Sequence, residues 1–352
     1  MERLLIFPLN GDTEVLIQNA DKSTKYEITA ISSYREDIKR IEELQSKCSL
    51  YCSTDFGKCL QKVDAVVFTE NTIRNGYSGY KERVEEALDQ KKTIYISASL
   101  IKTLGIDSEN EYIHILQKRD LTEKLDNIKL KDIQLPVLAV VGEGKNCDKF
   151  KLQANIKAMI EKKGYSVLSI CSNVLGKFMD MEILPGFLFS EQISLELKIE
   201  AFNTWIYKLQ ENSKADIILL GCPGGILKFD EYEPNHYGEI PFAMLNSVIV
   251  DNCILTIYRN CKQNDSTMKK LSNFCQMRYN TPIDEVVMCE QYFKLDLEQK
   301  IVKYYSVQEV DGSYDEQEES ELEHLSLIED KEKLERQIDR ILKELENNFF
   351  VI

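Results

Sequence analysis

Between Gly142 and Lys149 a glycine-containing loop, Gly-Glu-Gly-Lys-Asn-Cys-Asp-Lys, follows the apolar run Val137–Val141 and precedes a helical pattern from Phe150 to Gly164. Strand, glycine loop and helix in this order cradle phosphates. Glycine lets backbone N–H groups turn toward phosphate oxygens, a lysine contacts the terminal phosphates, and a Ser or Thr directly after it binds Mg²⁺. The strand, Gly142, Gly144 and Lys149 are in place. Asp148 stands where the second glycine belongs, Phe150 where the metal-binding hydroxyl belongs, and the gap from Gly142 to Lys149 is one residue longer than the common motif. The carboxylate of Asp148 opposes a triphosphate, and Lys145 and Lys149 offset that charge in part.

The complementary strand, Asp216–Gly221, runs into Cys222-Pro-Gly-Gly225. A hydrolase needs a carboxylate on the metal side at that end, and the strand's only Asp lies at the other. ATP hydrolysis is therefore not expected, and no metal site is assigned. The candidate ligand- or phosphate-binding residues are Gly142, Gly144, Lys145, Asn146, Lys149, Gly224 and Gly225. A thiol or acid–base cluster of Cys147, Cys222 and His236 is the other chemistry the two loops could assemble, Cys147 standing at a helix N-terminus where thiol acidity rises. The plainer reading of those three is coincidence among ten cysteines and a polar loop. His114 and His324 have no partner pattern.

The cysteines form no CxxC pair, which excludes a zinc ribbon or thioredoxin-like motif. Cys48, Cys52 and Cys59 miss the Cys-x3-Cys-x2-Cys spacing of a radical cluster, since Asp55 holds the required third position. Buried, inert thiols are the expectation for most of them. The net charge of −15 argues against nucleic acid or an anionic membrane as partner. No targeting segment and no apolar stretch of membrane-spanning length is visible, so the expected location is cytoplasmic.

Two α/β domains must position these loops. Over residues 1–106, strand patterns at Leu4–Pro8, Tyr26–Ile31, Ala65–Phe68 and Thr93–Ile96 alternate with helical ones such as Tyr80–Gln90. This predicts a doubly wound, Rossmann-like domain. Asn71 and Gly76, at the end of its third strand, are candidates for a cleft. Residues 107–135 read as a linker, with a helix over Leu116–Leu130. The second, degenerate P-loop-like domain covers 136–312, with strands at Ser166–Cys171, Asp216–Gly221, Cys253–Tyr258 and Glu285–Cys289, and an edge hairpin over Lys294–Val310. Residues 313–352 hold an acidic run, Asp315–Glu323, and an amphipathic helix. There Leu327, Leu334 and Ile341, and Lys331, Ile338 and Leu345, repeat every seven residues. That seam serves either packing on its own domain or an oligomeric coiled coil. The tail Phe349–Ile352 is apolar and expected to dock.

The segment Val137–Gly164 resembles the dethiobiotin-synthetase and MinD type of P-loop domain with its loop degenerated. Three pieces together, Val140–Phe150, Leu220–Gly225 and Tyr237-Gly238, resemble the clostridial peptide maturation system proteins, encoded with ribosomally made, modified peptides. The resemblance spans most of the chain. It implies an accessory or scaffold role, binding a precursor peptide or its modifying enzyme, with homo-oligomerisation through the C-terminal helix as an option. No catalytic residue carries over. The alternative is a P-loop-type enzyme with an altered site, for which a nucleotide is the candidate cofactor.

Overall fold

The computed structural model describes residues 1–19, 25–70, 77, 79–117, 129–260, 265–306 and 326–349. They fall into two compact units, Met1–Arg119 with Asn173–Pro185, and Asp120–Ser172 with Gly186–Ile352. Both are doubly wound α/β units built on parallel sheets. Among the described residues, no helix is long and apolar enough to cross a membrane.

In the first unit, strands β1 (Glu2–Phe7), β2 (Tyr26–Ser32), β3 (Tyr51–Ser53), β4 (Ala65–Phe68), β5 (Thr93–Ile96) and β6 (Ile113–Ile115) alternate with helices α1 (Gly11–Asn19), α2 (Ile38–Lys47), α3 (Phe56–Leu60), α4 (Tyr80–Asp89) and α5 (Ala98–Leu104). The sheet order is β3-β2-β1-β4-β5-β6, parallel throughout. This is the dinucleotide-binding order, in which ligands lie beyond the ends of β1 and β4. Continuous apolar runs form β1 and β4 because helices cover both faces of such a sheet. Leu5, Phe7, Val66 and Phe68 are fully or almost fully buried with Phe56 and Tyr80.

No glycine fingerprint follows β1. Asn10 caps α1 instead: its Oδ1 accepts from Thr13 N at 2.9 Å, and its Nδ2 donates to Thr69 Oγ1 and Glu70 O, each at 3.1 Å. Part of the expected linker, Ile113–Ile115, is the edge strand of this sheet. Residues 118–128 of the expected linking helix, and both Asn71 and Gly76, lie outside the described residues. The returning segment 173–185 contributes a 3₁₀ turn, Val174–Met179, and the short strand β9 (Glu182–Ile183). Phe178 there lies 5.0 Å from the Tyr26 ring and 5.4 Å from that of Tyr95.

The second unit holds β7 (Val137–Gly142), α6 (Lys149–Lys162), β8 (Val167–Cys171), α7 (Leu195–Asn212), β10 (Ile217–Gly221), α8 (Glu239–Leu245), β11 (Asn252–Ile257), α9 (Asp265–Tyr279) and β12 (Glu285–Met288). It continues through β13 (Gln291–Asp296), β14 (Ile301–Ser306), β15 (Ser326–Leu327) and α10 (Lys331–Phe349). Its strands run β15-β12-β11-β7-β10-β8. Sheet growth reverses between β10 and β11, which puts the glycine loop, at the carboxyl end of β7, at the topological switch point.

The hairpin β13–β14 does not extend the large sheet, as an edge hairpin would. It forms a two-stranded antiparallel sheet of its own. Helix α10 packs its seam on its own unit. Leu334, Ile338, Ile341 and Leu345 are buried against Leu152, Ile156 and Ile160 of α6 and Ile254 of β11. The acidic run Asp315–Glu323, His324 and residues 350–352 of the tail lie outside the described residues.

Candidate functional site: the glycine loop of the second unit

Strand β7 is buried along its whole length and delivers the loop to the switch point of the sheet. Neighbouring strand ends hold the loop's base: Glu143 N donates to Thr256 O of β11 at 2.9 Å, and Ile226 N, beyond β10, donates to Gly142 O at 3.0 Å. Gly225 is a glycine because any Cβ there would run into Glu143 O and Gly144 Cα. Gly144 lies under the Tyr258 ring, whose hydroxyl donates to Lys145 O. Lys145 pairs with Glu233 at 2.9 Å, tying the loop to the connection after β10.

Asp148 has φ +50°, the left-handed conformation that a phosphate loop ordinarily gives to glycine. Its carboxylate does not face an open cradle. Oδ2 accepts from Glu290 N at 2.8 Å and Oδ1 from Gln291 Nε2 at 3.2 Å. Lys149 folds back over the loop, its Nζ donating to Gly144 O at 2.6 Å and lying 3.4 Å from Cys147 Sγ. Asn146 is exposed with φ +51°. Phe150, directly after Lys149, packs in the interior, so no hydroxyl can bind a metal there.

At the end of the neighbouring strand, Gly221 closes β10 because the amide of Gln153 fills the space a side chain would need. Gln153 Nε2 donates to Ile170 O at 2.7 Å and lies 3.2 Å from both Ser169 Oγ and Leu219 O, locking α6 to β8 and β10. Among the described residues no cluster of His, Cys, Asp or Glu could hold a metal ion.

The thiol cluster assembles only in part. Cys147 is fully buried, its Sγ 3.1 Å from both Gly144 O and Thr256 Oγ1. Cys222 is buried near Lys149, and burial pushes its thiol up to about 12. A thiol held in that form is a poor nucleophile. His236 is exposed, and no hydrogen bond joins it to either cysteine among the described residues.

His236 instead belongs to a left-handed turn. Asn235, His236, Tyr237 and Gly238 all have positive φ, between +48° and +73°. Each non-glycine residue there costs about 1–2 kcal/mol. Asn235 is buried beside Gly225, with Nδ2 donating to Leu227 O at 3.1 Å and Oδ1 without a hydrogen-bond partner among the described residues. Gly224, at φ +66°, and Gly238 turn the backbone at either end of this connection. Sequence reasoning missed Asn235, Gln153, Thr256 and Tyr258. Asn ahead of His-Tyr-Gly was the one available signal, since Asn tolerates the left-handed region.

The arrangement defines a doubly wound unit with a glycine loop after its central strand β7 and, among the described residues, no metal-holding cluster beside it. No family model matches the chain, and no curated protein matches it. Among solved structures, the chain is similar to a DUF1611 family protein from Anabaena variabilis. The identity is 9%, the TM-score 0.60, and the match covers 82% of this chain and 88% of the other. A probable dehydrogenase from Thermotoga maritima aligns at 15% identity over 47% of this chain and 44% of its own, with TM-score 0.27. A murein peptide ligase from Psychrobacter arcticus aligns at 11% identity over 84% and 56%, with TM-score 0.29. The first of these supports the two-unit α/β fold.

Proposed function

We propose that this chain is a binding component in the maturation of a ribosomally synthesised peptide, engaging the precursor peptide or its modifying enzyme, and not a magnesium-dependent nucleotide hydrolase. The observation that carries the non-hydrolytic part is the loss of both metal-side groups. Phe150 is packed inside where a hydroxyl is needed, and β10 ends in Gly221 and a buried Cys222. The maturation context rests on the three motif pieces named above. The test is co-expression with the products of neighbouring genes, followed by affinity purification and an ATPase assay. Stable association with the precursor peptide or its modifying enzyme and no ATP turnover is the expected result. Turnover that Lys149→Ala abolishes would overturn it.

A second reading, binding of a phosphorylated ligand without metal, is favoured by Lys149 lying on Gly144 O at the N-terminus of the 14-residue helix α6. Thermal unfolding with ATP in EDTA separates the two. A large upward shift, lost in Lys149→Ala, supports the phosphoryl-ligand site.

A further inference from the structure

The hairpin β13–β14 has one covered edge, along β13, and on β14 an edge where Val302 and Tyr304 have no outward backbone partner among the described residues. On β13, Gln291 O accepts from Arg259 N at 2.9 Å. Phe293 exchanges two hydrogen bonds with the Asn260 side chain, N to Oδ1 at 3.1 Å and Nδ2 to O at 2.8 Å. An amide side chain here does what a neighbouring strand would. These bonds fix the phase of the ladder. Gln291, Phe293 and Leu295 face their backbone groups away from β14, so their partners Ser306, Tyr304 and Val302 face theirs away from β13. No hydrogen bond reaches the outward N–H and C=O groups of Val302 or Tyr304 among the described residues.

The platform is firm. An isolated hairpin is marginal in water. This one is anchored through Phe293, with its ring 4.9 Å from Phe229 and 5.2 Å from Tyr258, and through Tyr304, 5.7 Å from Tyr258. Its turn is held by Asp296 Oδ1, which accepts from Glu298 N and Gln299 N.

The outer face carries an unusual pairing. Lys294 stands directly opposite Lys303, and Tyr292 opposite Tyr305. Like charges in register destabilise a ladder, and only Asp296, 2.6 Å from Lys303 Nζ, offsets them within the hairpin strands. In a chain of net charge −15 this is a local cationic strip. Apolar side chains continue it at the tip, where Leu297 is 69% exposed and Ile301 43%.

We propose that the β14 edge is a β-augmentation site for an extended peptide with acidic and apolar residues in alternation. Backbone groups of the incoming strand pair with Val302 and Tyr304. Its acidic side chains lie on the outer face beside Lys303 and Lys294, and its apolar ones on the inner face beside Val302. The proposal rests on the peptide-binding reading above and names the edge and the peptide chemistry that reading leaves open.

The test is fluorescence anisotropy of the full chain with labelled, end-blocked (Glu-Val)₅ and (Lys-Val)₅ peptides at low salt. Saturable binding of the acidic peptide only is expected. Val302→Pro removes one outward N–H and leaves the β13–β14 ladder its bonds. It should weaken binding by about tenfold or more, as should Lys294→Glu combined with Lys303→Glu. The charge-reversed protein should gain the basic peptide. Equal binding of both peptides, no binding of either, or full affinity in both variants overturns the proposal. So does a wild-type dimer that Val302→Pro converts to monomer, which assigns the edge to a second copy. Failure to associate with neighbouring gene products strikes the maturation role and leaves this titration untouched. A failed titration with association intact strikes the β14 edge alone.

Discussion

Asp148 shows how a residue that breaks a motif can keep its geometry. Asp is among the few side chains that tolerate the left-handed region, so the loop turns at φ +50° as a glycine loop would. Its carboxylate then ties the loop to Glu290 and Gln291 beyond β12. The sequence shows the missing glycine plainly. It cannot show the partner, which the fold brings in from a distant strand end. The same holds for Gly221, whose lack of side chain follows from Gln153 on α6. Asp148→Ala loses the carboxylate's hydrogen bonds and strains the backbone, and should cost about 2–3 kcal/mol in urea unfolding. Asp148→Asn keeps a tolerant backbone and one acceptor, and should cost about 1 kcal/mol. Equal losses would mean that the carboxylate, and not the turn, sets the loop.

Elements were legible where they are apolar and buried on both faces. β4 and β5 lie where their runs of Ala65–Phe68 and Thr93–Ile96 place them. Short or polar elements were not. β3 is Tyr-Cys-Ser and β6 is Ile-His-Ile, each three residues long and given strand form by its neighbour's ladder. Asn10-Gly11-Asp12 has the composition of a turn, yet Asn10 caps α1. The seam of α10 was visible, but its destination was not, because a stripe that packs on α6 has the same period as one that meets another chain. Ile338 is fully buried in that seam. Ile338→Ala should cost about 2–4 kcal/mol, with an unfolding midpoint independent of protein concentration. A midpoint that rises with concentration would assign the seam to an intermolecular contact.

At the scale of the whole molecule, buried titratable groups make the response to pH asymmetric. On the acid side two sets oppose each other. Asp64, hydrogen-bonded to Arg3, is lowered to about 2, and Asp55 and Asp216 are lowered by the hydrogen bonds they accept. Their contribution is present above the unfolded value of about 3.9 and is lost as pH falls toward 2. These pairs are exposed, which keeps the loss small. Asp251 and Asp284 are raised by burial, so they favour the fold at low pH and lose that contribution as pH rises. The alkaline side has no such balance among the thiols. Burial raises Cys59 to about 11 and Cys52, Cys222 and Cys275 to about 12. A thiol with a raised folded value contributes fully below its unfolded value of about 8.5, and the contribution fades as pH climbs through the folded one. Added negative charge on a chain already at −15 acts in the same direction. Stability from urea titrations should therefore peak near about pH 4, decline slightly as Asp251 and Asp284 ionise above it, and fall steeply between about 9 and 12. Cys222→Ala removes one of these protons and should make the alkaline slope shallower by up to about 1.4 kcal/mol per pH unit. Comparing slopes cancels the cavity the substitution leaves in the core. An unchanged slope would mean that Cys222 ionises in the folded protein no later than in the unfolded chain, and would make it again a candidate reactive thiol beside the glycine loop.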